Sequence, residues 1–288
     1  MRESPRILIG TLYCGENEFE ALEDSLQAQM YPHWEHVVYK NLPNKEAHDR
    51  LYRTFMDRQD DFDLFLKLDA DMVFRREDGL RRIVDLFQDI PQLDHLTLAV
   101  RDWYSGSLIE GLHTFSDRVR WETGDESRFV DPAPLMPGER RKTYADPAPV
   151  VDHSPDPSPF QAFRFGVHRA LKVVQRGRWI PRFRQAIGQW LLLRKCWHHC
   201  RAVEVHRLGL ALLGAEAVFS GHVSGAEYDR NQDALERRLA EHEHLNIEQI
   251  KQRVRPRWQK DWRGEIRFFG VTGAFRIVIS YLYDRMYG

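Results

Sequence analysis

Apolar and polar positions fall into alternating blocks along the first half of the chain. Ile7, Leu8, Ile9 and Leu12 form a short apolar run, closed by the polar turn Cys14-Gly15-Glu16-Asn17, and this is the pattern of a buried strand. Phe19, Leu22, Leu26 and Met30 then recur at helical spacing. Glu18, Glu20, Glu23 and Asp24 load the first turns of that helix, where its dipole favours acids, and Pro32 ends it. A second strand follows at 36–39, then a polar helix over 45–58 and the acidic pair Asp60-Asp61. The order strand, helix, strand, helix, strand predicts an α/β fold: a Rossmann-like, mostly parallel sheet flanked by helices, with ligands gathering at the carboxyl ends of the strands.

The third strand is where the chemistry enters. Residues 63–74 read DLFLKLDADMVF, an apolar run interrupted by Asp69 and ended by Asp71. An ionised carboxylate buried there without a cation or donors costs several kcal/mol, roughly what any unpaired buried charge costs. If the strand persists to Asp71, alternation places both carboxylates on one face. Two hard oxygen donors converging on a point suit Mg²⁺ or Mn²⁺, which take their remaining ligands from water and phosphates. The competing reading is a strand end whose acids face solvent or pair with Lys67, Arg75 or Arg76.

Downstream, Leu80, Ile83, Val84 and Phe87 make the stripe of a helix opened by Glu77-Asp78-Gly79 and stopped before Pro91. Strands at 95–100 and 107–115 bracket a hairpin tip with Gly106. From 121 to 159 prolines are dense, which excludes long helices and predicts loops over the active face. Val150-Val151-Asp152-His153-Ser154-Pro155 reads as a strand ending in Asp-His before a helix over 160–175. On that helix Arg164, His168 and Lys172 recur at a four-residue interval. A helix over 185–204 carries Cys196-Trp-His-His-Cys200, whose spacing raises both a zinc site and simple packing. An apolar segment over 208–219 precedes a single charged helix over 229–255. The end of the chain, 258–287, is aromatic and basic, suited to core packing, a homodimer contact or peripheral membrane contact.

Composition narrows the class. At 288 residues the chain suits one large domain with an appendage, and the expected division is 1–178 and 179–288. The formal charge of −1 hides a basic stretch over 161–210 with Glu204 as its one acid, a field that favours anionic partners. Three cysteines are too few for a disulfide scaffold. The amino terminus has no signal-peptide pattern and no apolar run reaches bilayer length, so a cytoplasmic protein is expected.

The run GENEFEALEDSLQAQMYPHWEHVVY followed by LFLKLDADMVF resembles the amino-terminal half of a family 2-like GT-A glycosyltransferase. The matching features are Asn17-Glu18 after the first strand, Ser25-Leu26 and Gln29 in the first helix, and the D-x-D itself, over roughly residues 6–115. One departure stands out: family members place an acid just after the second strand, where this chain has Lys40-Asn41-Leu42-Pro43-Asn44. The resemblance implies a GT-A type sheet with a helical C-terminal extension, a nucleotide-diphosphate sugar as donor, Mn²⁺ or Mg²⁺ as cofactor, and no nucleic acid as partner. It implies a glycan or lipid-linked glycan acceptor. Asp69, Asp71 and His153 are the expected metal ligands, and Thr11, Tyr13, Asp69, Arg164 and Lys172 the expected nucleotide and diphosphate contacts. The candidate bases are Asp102, Glu110 and Asp125. Two alternatives stay open: an aspartyl-nucleophile phosphohydrolase with Asp69 as nucleophile and Asp71 as acid/base, and a noncatalytic basic surface-binding protein.

Overall fold

The computed structural model describes residues 3–122, 134–137, 141–146, 148–175, 180–230 and 232–258, with 269, 271, 273 and 275. Two compact units divide the chain, Met1–Gln161 and Ala162–Gly288.

The first unit is a three-layer α/β structure. Its early strands are β1 (Ile7–Tyr13), β2 (Trp34–Lys40) and β3 (Leu64–Lys67). Both β2 and β3 pair with β1 in parallel. Helices α1 (Phe19–Gln27) and α2 (Asn44–Asp57) are the crossovers between them. Because side chains alternate along β1, Ile7 and Ile9 pack with Leu22 and Leu26 of α1 on one face, whereas Leu8 packs with Leu51, Tyr52 and Phe55 of α2 on the other. The remaining elements are β4 (Met72–Phe74), α3 (Gly79–Asp89), β5 (His95–Asp102), β6 (Ser107–Ser116), the short pair β7 (Arg120–Trp121) and β8 (Pro134–Leu135), β9 (Arg141–Tyr144) and β10 (Val151–His153). Sheet order is β2-β1-β3-β6-β5-β10-β4, with β9 alongside β5. The hairpin strand β6 runs antiparallel to both neighbours, and the edge strand β4 runs antiparallel to β10.

This topology corrects one expectation. The third strand does not persist to Asp71: it stops at Lys67, and Asp69 to Asp71 form a turn closed by Met72 N–H donating to the Asp69 carbonyl (2.9 Å). The reason is topological. The chain leaves β3 in the middle of the sheet and joins the far edge as β4, so residues 68–71 must cross over the strand ends. Ser25 of α1 and Gln29 just beyond its end hold that crossing. Ser25 Oγ accepts from Phe74 N–H (3.1 Å), and Gln29 Oε1 accepts from Leu80 N–H (2.9 Å) at the start of α3.

The second unit is helical: most of α4 (Pro159–Val174), then α5 (Ile180–Val203), α6 (His206–Phe219), α7 (Gly225–Arg230), α8 (Gln232–Ala240) and α9 (Ile247–Trp258). Leu208, Leu210, Ala211, Leu212, Leu213 and Ala215 are all buried, so α6 has no solvated stripe and forms the axis of the bundle. The single charged helix expected over 229–255 is divided by a turn after Ala240. Asn246 and Gln249 make that break: each side chain accepts the other's backbone N–H (2.9 and 3.0 Å), a reciprocal N-terminal cap for α9. Trp258 and Phe269 pack on Trp190, with ring centroids 5.1 and 5.6 Å apart, so this part of the aromatic tail is core. Val271 and Phe275 are exposed, and most of the remaining tail lies outside the described residues. Among the described residues, no helix is long and apolar enough to cross a membrane.

Candidate active site

Three neighbouring strands bring their ends together in the first unit. In the order β5-β10-β4, Asp102 is the last residue of β5, His153 the last of β10, and Asp71 sits just before β4. Register pairs His153 with Asp102 on one side and with Met72 on the other. His153 Nδ1 lies 2.7 Å from Asp102 Oδ1, and its Nε2 lies 3.5 Å from Asp71 Oδ2. An imidazole is thereby held between two carboxylates.

Each member is fixed by further bonds. Asp102 is fully buried and accepts the Ser105 N–H at Oδ2 (2.7 Å) from the hairpin tip. Burial alone would raise its carboxyl, but the hydrogen bond from His153 and the Ser105 N–H outweigh that and hold it below the usual range. Trp103 N–H donates to the His153 carbonyl (3.1 Å), tying the tip to β10. Asp71 is clamped by Ser154, whose N–H donates to the Asp71 carbonyl (2.6 Å) and whose hydroxyl donates to Asp71 Oδ2 (2.5 Å). Ser154 has φ of 49°, a left-handed conformation that costs a non-glycine residue about 1 kcal/mol or more, and in that conformation both its donors face Asp71.

The loop after β1 forms a second wall. Asn17 Nδ2 donates to the Asp156 carbonyl (2.8 Å). The buried Glu18 carboxylate accepts from Gln161 Nε2 (2.8 Å) and Asp156 N–H (3.1 Å). Burial pushes the Glu18 carboxyl up, Gln161 pulls it back, and the charge of Asp71 adds to the rise. Glu18 and Ser154 were not among the expected site residues. Glu18 reads as an ordinary first-turn acid, and Ser154 as a helix-approach residue. The signal for Glu18 was its place in Asn17-Glu18, while nothing local marks Ser154.

The other expected residues are placed as follows. Asp69, in the turn, is 43 % exposed and its Oδ1 is paired with Lys67 Nζ at 2.6 Å, so the two acids do not converge as strand neighbours. Thr11 is buried, with its hydroxyl 2.9 Å from His36 Nε2. Tyr13 packs on Phe19 (4.4 Å), and Lys40 lies over both rings, at 5.5 and 5.1 Å, so the lysine at the end of β2 is seated on an aromatic pair. Glu110 is exposed on β6, opposite Ala99, away from the Asp102–His153–Asp71 row, because it falls on the outward phase of that strand. Asp125 lies outside the described residues. Arg164 and Lys172 belong to α4 in the second unit, and the Arg164 guanidinium stacks 5.2 Å over Tyr228. Cys196 and Cys200 are buried in α5, and among the described residues no cluster of three metal-ligating side chains is found.

Asp71 and His153 nevertheless fit a divalent cation that needs few protein ligands. Two donors about 2.1 Å from one ion are separated by about 3.0–3.5 Å, and Nε2 to Oδ2 is 3.5 Å, longer than a hydrogen bond. Two protein ligands suffice where substrate phosphates and waters supply the rest.

No protein-family model and no curated protein matches the chain. Two of the solved structures that match are glycosyltransferases. One is the mannosyltransferase PcManGT from Pyrobaculum calidifontis in complex with GDP-Man and Mn²⁺, at 15% identity and a TM-score of 0.37, covering 97% of this chain and 88% of that one. Another is a glycosyltransferase involved in the glycosylation of the major capsid of PBCV-1, at 17% identity and a TM-score of 0.28, covering 39% of this chain and 60% of that one.

Proposed function

We propose that the protein is a metal-dependent GT-A type glycosyltransferase that moves a sugar from a nucleotide-diphosphate donor to a glycan or lipid-linked glycan acceptor. The observation that carries this reading is the placement of Asp71 and His153, two metal-competent donors 3.5 Å apart, at the ends of adjacent strands of an α/β sheet. Mn²⁺ or Mg²⁺ bound there supplies charge neutralisation at the departing diphosphate.

The chain's own residues supply position. Ser154 keeps Asp71 from rotating away, and Asp102 fixes the His153 ring through Nδ1. Lys67 steadies Asp69, whose carboxylate is placed in the turn beside Asp71. In the transfer itself the acceptor hydroxyl oxygen bonds to the anomeric carbon, the carbon–oxygen bond to the diphosphate breaks with its electron pair leaving on phosphate, and the hydroxyl proton passes to a base. Asp102 is a poor candidate for that base, because it is enclosed and both its oxygens are engaged.

Calorimetric titration of UDP, GDP, CDP and dTDP, with and without Mn²⁺, tests the reading. The expected result is binding of one nucleotide that requires Mn²⁺ and is lost in Asp71→Asn. Failure of all four to bind refutes it.

A further inference from the structure

A histidine can bind a cation through Nε2 only if that nitrogen carries a lone pair, which requires the ring proton to sit on Nδ1. Nothing in the residue itself ensures this; a partner at Nδ1 must. Asp102 Oδ1 is 2.7 Å from Nδ1, the two residues being paired in the β5–β10 register, while Oδ2 is taken by the Ser105 N–H at 2.7 Å. A carboxylate offers only acceptors. With Asp102 fully buried and His153 5 % exposed, water is not available to substitute for either.

We infer that Asp102 is a positioning residue: it holds His153 as the Nδ1–H tautomer and so aims the Nε2 lone pair at the space beside Asp71. This rests on the cation-binding reading of Asp71 and His153 above and adds to it the residue on which that reading depends. The carboxylate–imidazole–cation arrangement fixes both ring orientation and tautomer, and loss of such a partner typically lowers metal affinity about 10–100-fold.

Asparagine at this position makes a sharp test because it keeps the shape and changes the donor pattern. Asp102→Asn has one oxygen where two donors compete. The Ser105 N–H is fixed by the backbone and can only donate, so the amide oxygen goes to it and the amide NH₂ faces Nδ1. Nδ1 must then accept, and the proton moves to Nε2, where it points at Asp71 and blocks a cation.

Two readouts at one fixed neutral pH decide the matter. Long-range ¹H–¹⁵N correlation spectra, assigned through His153→Gln, report which ring nitrogen is protonated in the metal-free protein. Electron paramagnetic resonance of free Mn²⁺ gives the affinity in the presence of the nucleoside diphosphate. The expected result is a protonated Nδ1 in the wild-type protein, the reversed pattern in Asp102→Asn, and a 10–100-fold weaker Mn²⁺ affinity in that variant. The wild-type spectrum needs no variant to fold, and a proton on Nε2 there overturns the inference outright. So does an unchanged tautomer in Asp102→Asn, or a reversed tautomer with Mn²⁺ affinity within twofold of wild type. Absence of Mn²⁺ binding by the wild-type protein is a different failure, since it removes the transferase reading and the cation-facing role while the spectra still report on the Asp102–His153 bond.

Discussion

Two glycine-to-alanine changes in helices of the second unit should shift stability in opposite directions. Gly188, in α5, has open space around it: a Cβ there meets nothing within 4 Å. Replacing a helical glycine by alanine at such a site gains roughly 0.5–1 kcal/mol from backbone entropy. Gly166 on α4 receives the same local gain, but its Cβ would fall 1.6 Å from the Ala211 carbonyl oxygen of α6, and a Cβ at Gly214 on α6 would fall 2.0 Å from the Phe163 carbonyl oxygen of α4. Each glycine therefore opens the path for the other helix's backbone. Backbone atoms cannot rotate away, so at Gly166 the helices must separate by about 1.8 Å to restore an ordinary 3.4 Å contact. Such overpacking costs about 1–3 kcal/mol, and this clash lies at the severe end, so Gly166→Ala should be a net loss of about 2 kcal/mol. For a chain of this size that lowers Tm by about 4–8 °C. Urea unfolding followed by far-ultraviolet circular dichroism gives the ordering directly. A Gly166→Ala midpoint at or above wild type, with Gly188→Ala raised as expected, would refute the close crossing of α4 and α6.

Two further predictions concern single buried groups. Burial pushes His36 from its ordinary 6.5 down to about 4, so the unfolded chain takes up that proton before the folded one. His36 should thus leave stability intact above pH 6.5 and erode it as pH falls from 6.5 toward 4. The urea midpoint of wild type should drop more steeply across that window than that of His36→Gln, and parallel curves would count against it. Cys196 and Cys200 are fully buried, and burial raises the Cys200 thiol to about 11. In native protein at pH 8 an aromatic disulfide reagent should titrate Cys14 alone at first and all three thiols in urea; three fast native thiols would show that α5 is not packed as described.

The early strands and crossover helices were legible because their signals are local. Ile7, Leu8 and Ile9 are apolar on both faces of β1 because α1 and α2 cover both faces, and Phe19, Leu22 and Leu26 repeat at the helical interval because one stripe of α1 is buried. The hairpin was legible from the glycine at its tip, which takes φ of 63°. The break between α8 and α9 was less visible, since Asn246 and Gln249 form their cap only when the intervening residues are already turned. Asp69 and Asp71 stood out as candidate ligands, but the shared strand face expected for them is not formed, because whether β3 continues depends on which strand it must reach next.

The sequence by itself determined the α/β order of the first unit and the helical character of the second, and it marked Asp71 and His153 as candidate ligands, since each follows from residue type and short-range spacing. Only the tertiary structure decided who stands beside whom. The neighbours Asp102, His153 and Asp71 are 31 to 82 positions apart in the chain, and they meet because sheet order places β5, β10 and β4 side by side. Strand pairing is a long-range hydrogen-bonding choice whose partner is not written in either strand alone. It turned Asp102 from a candidate base into a buried partner of His153.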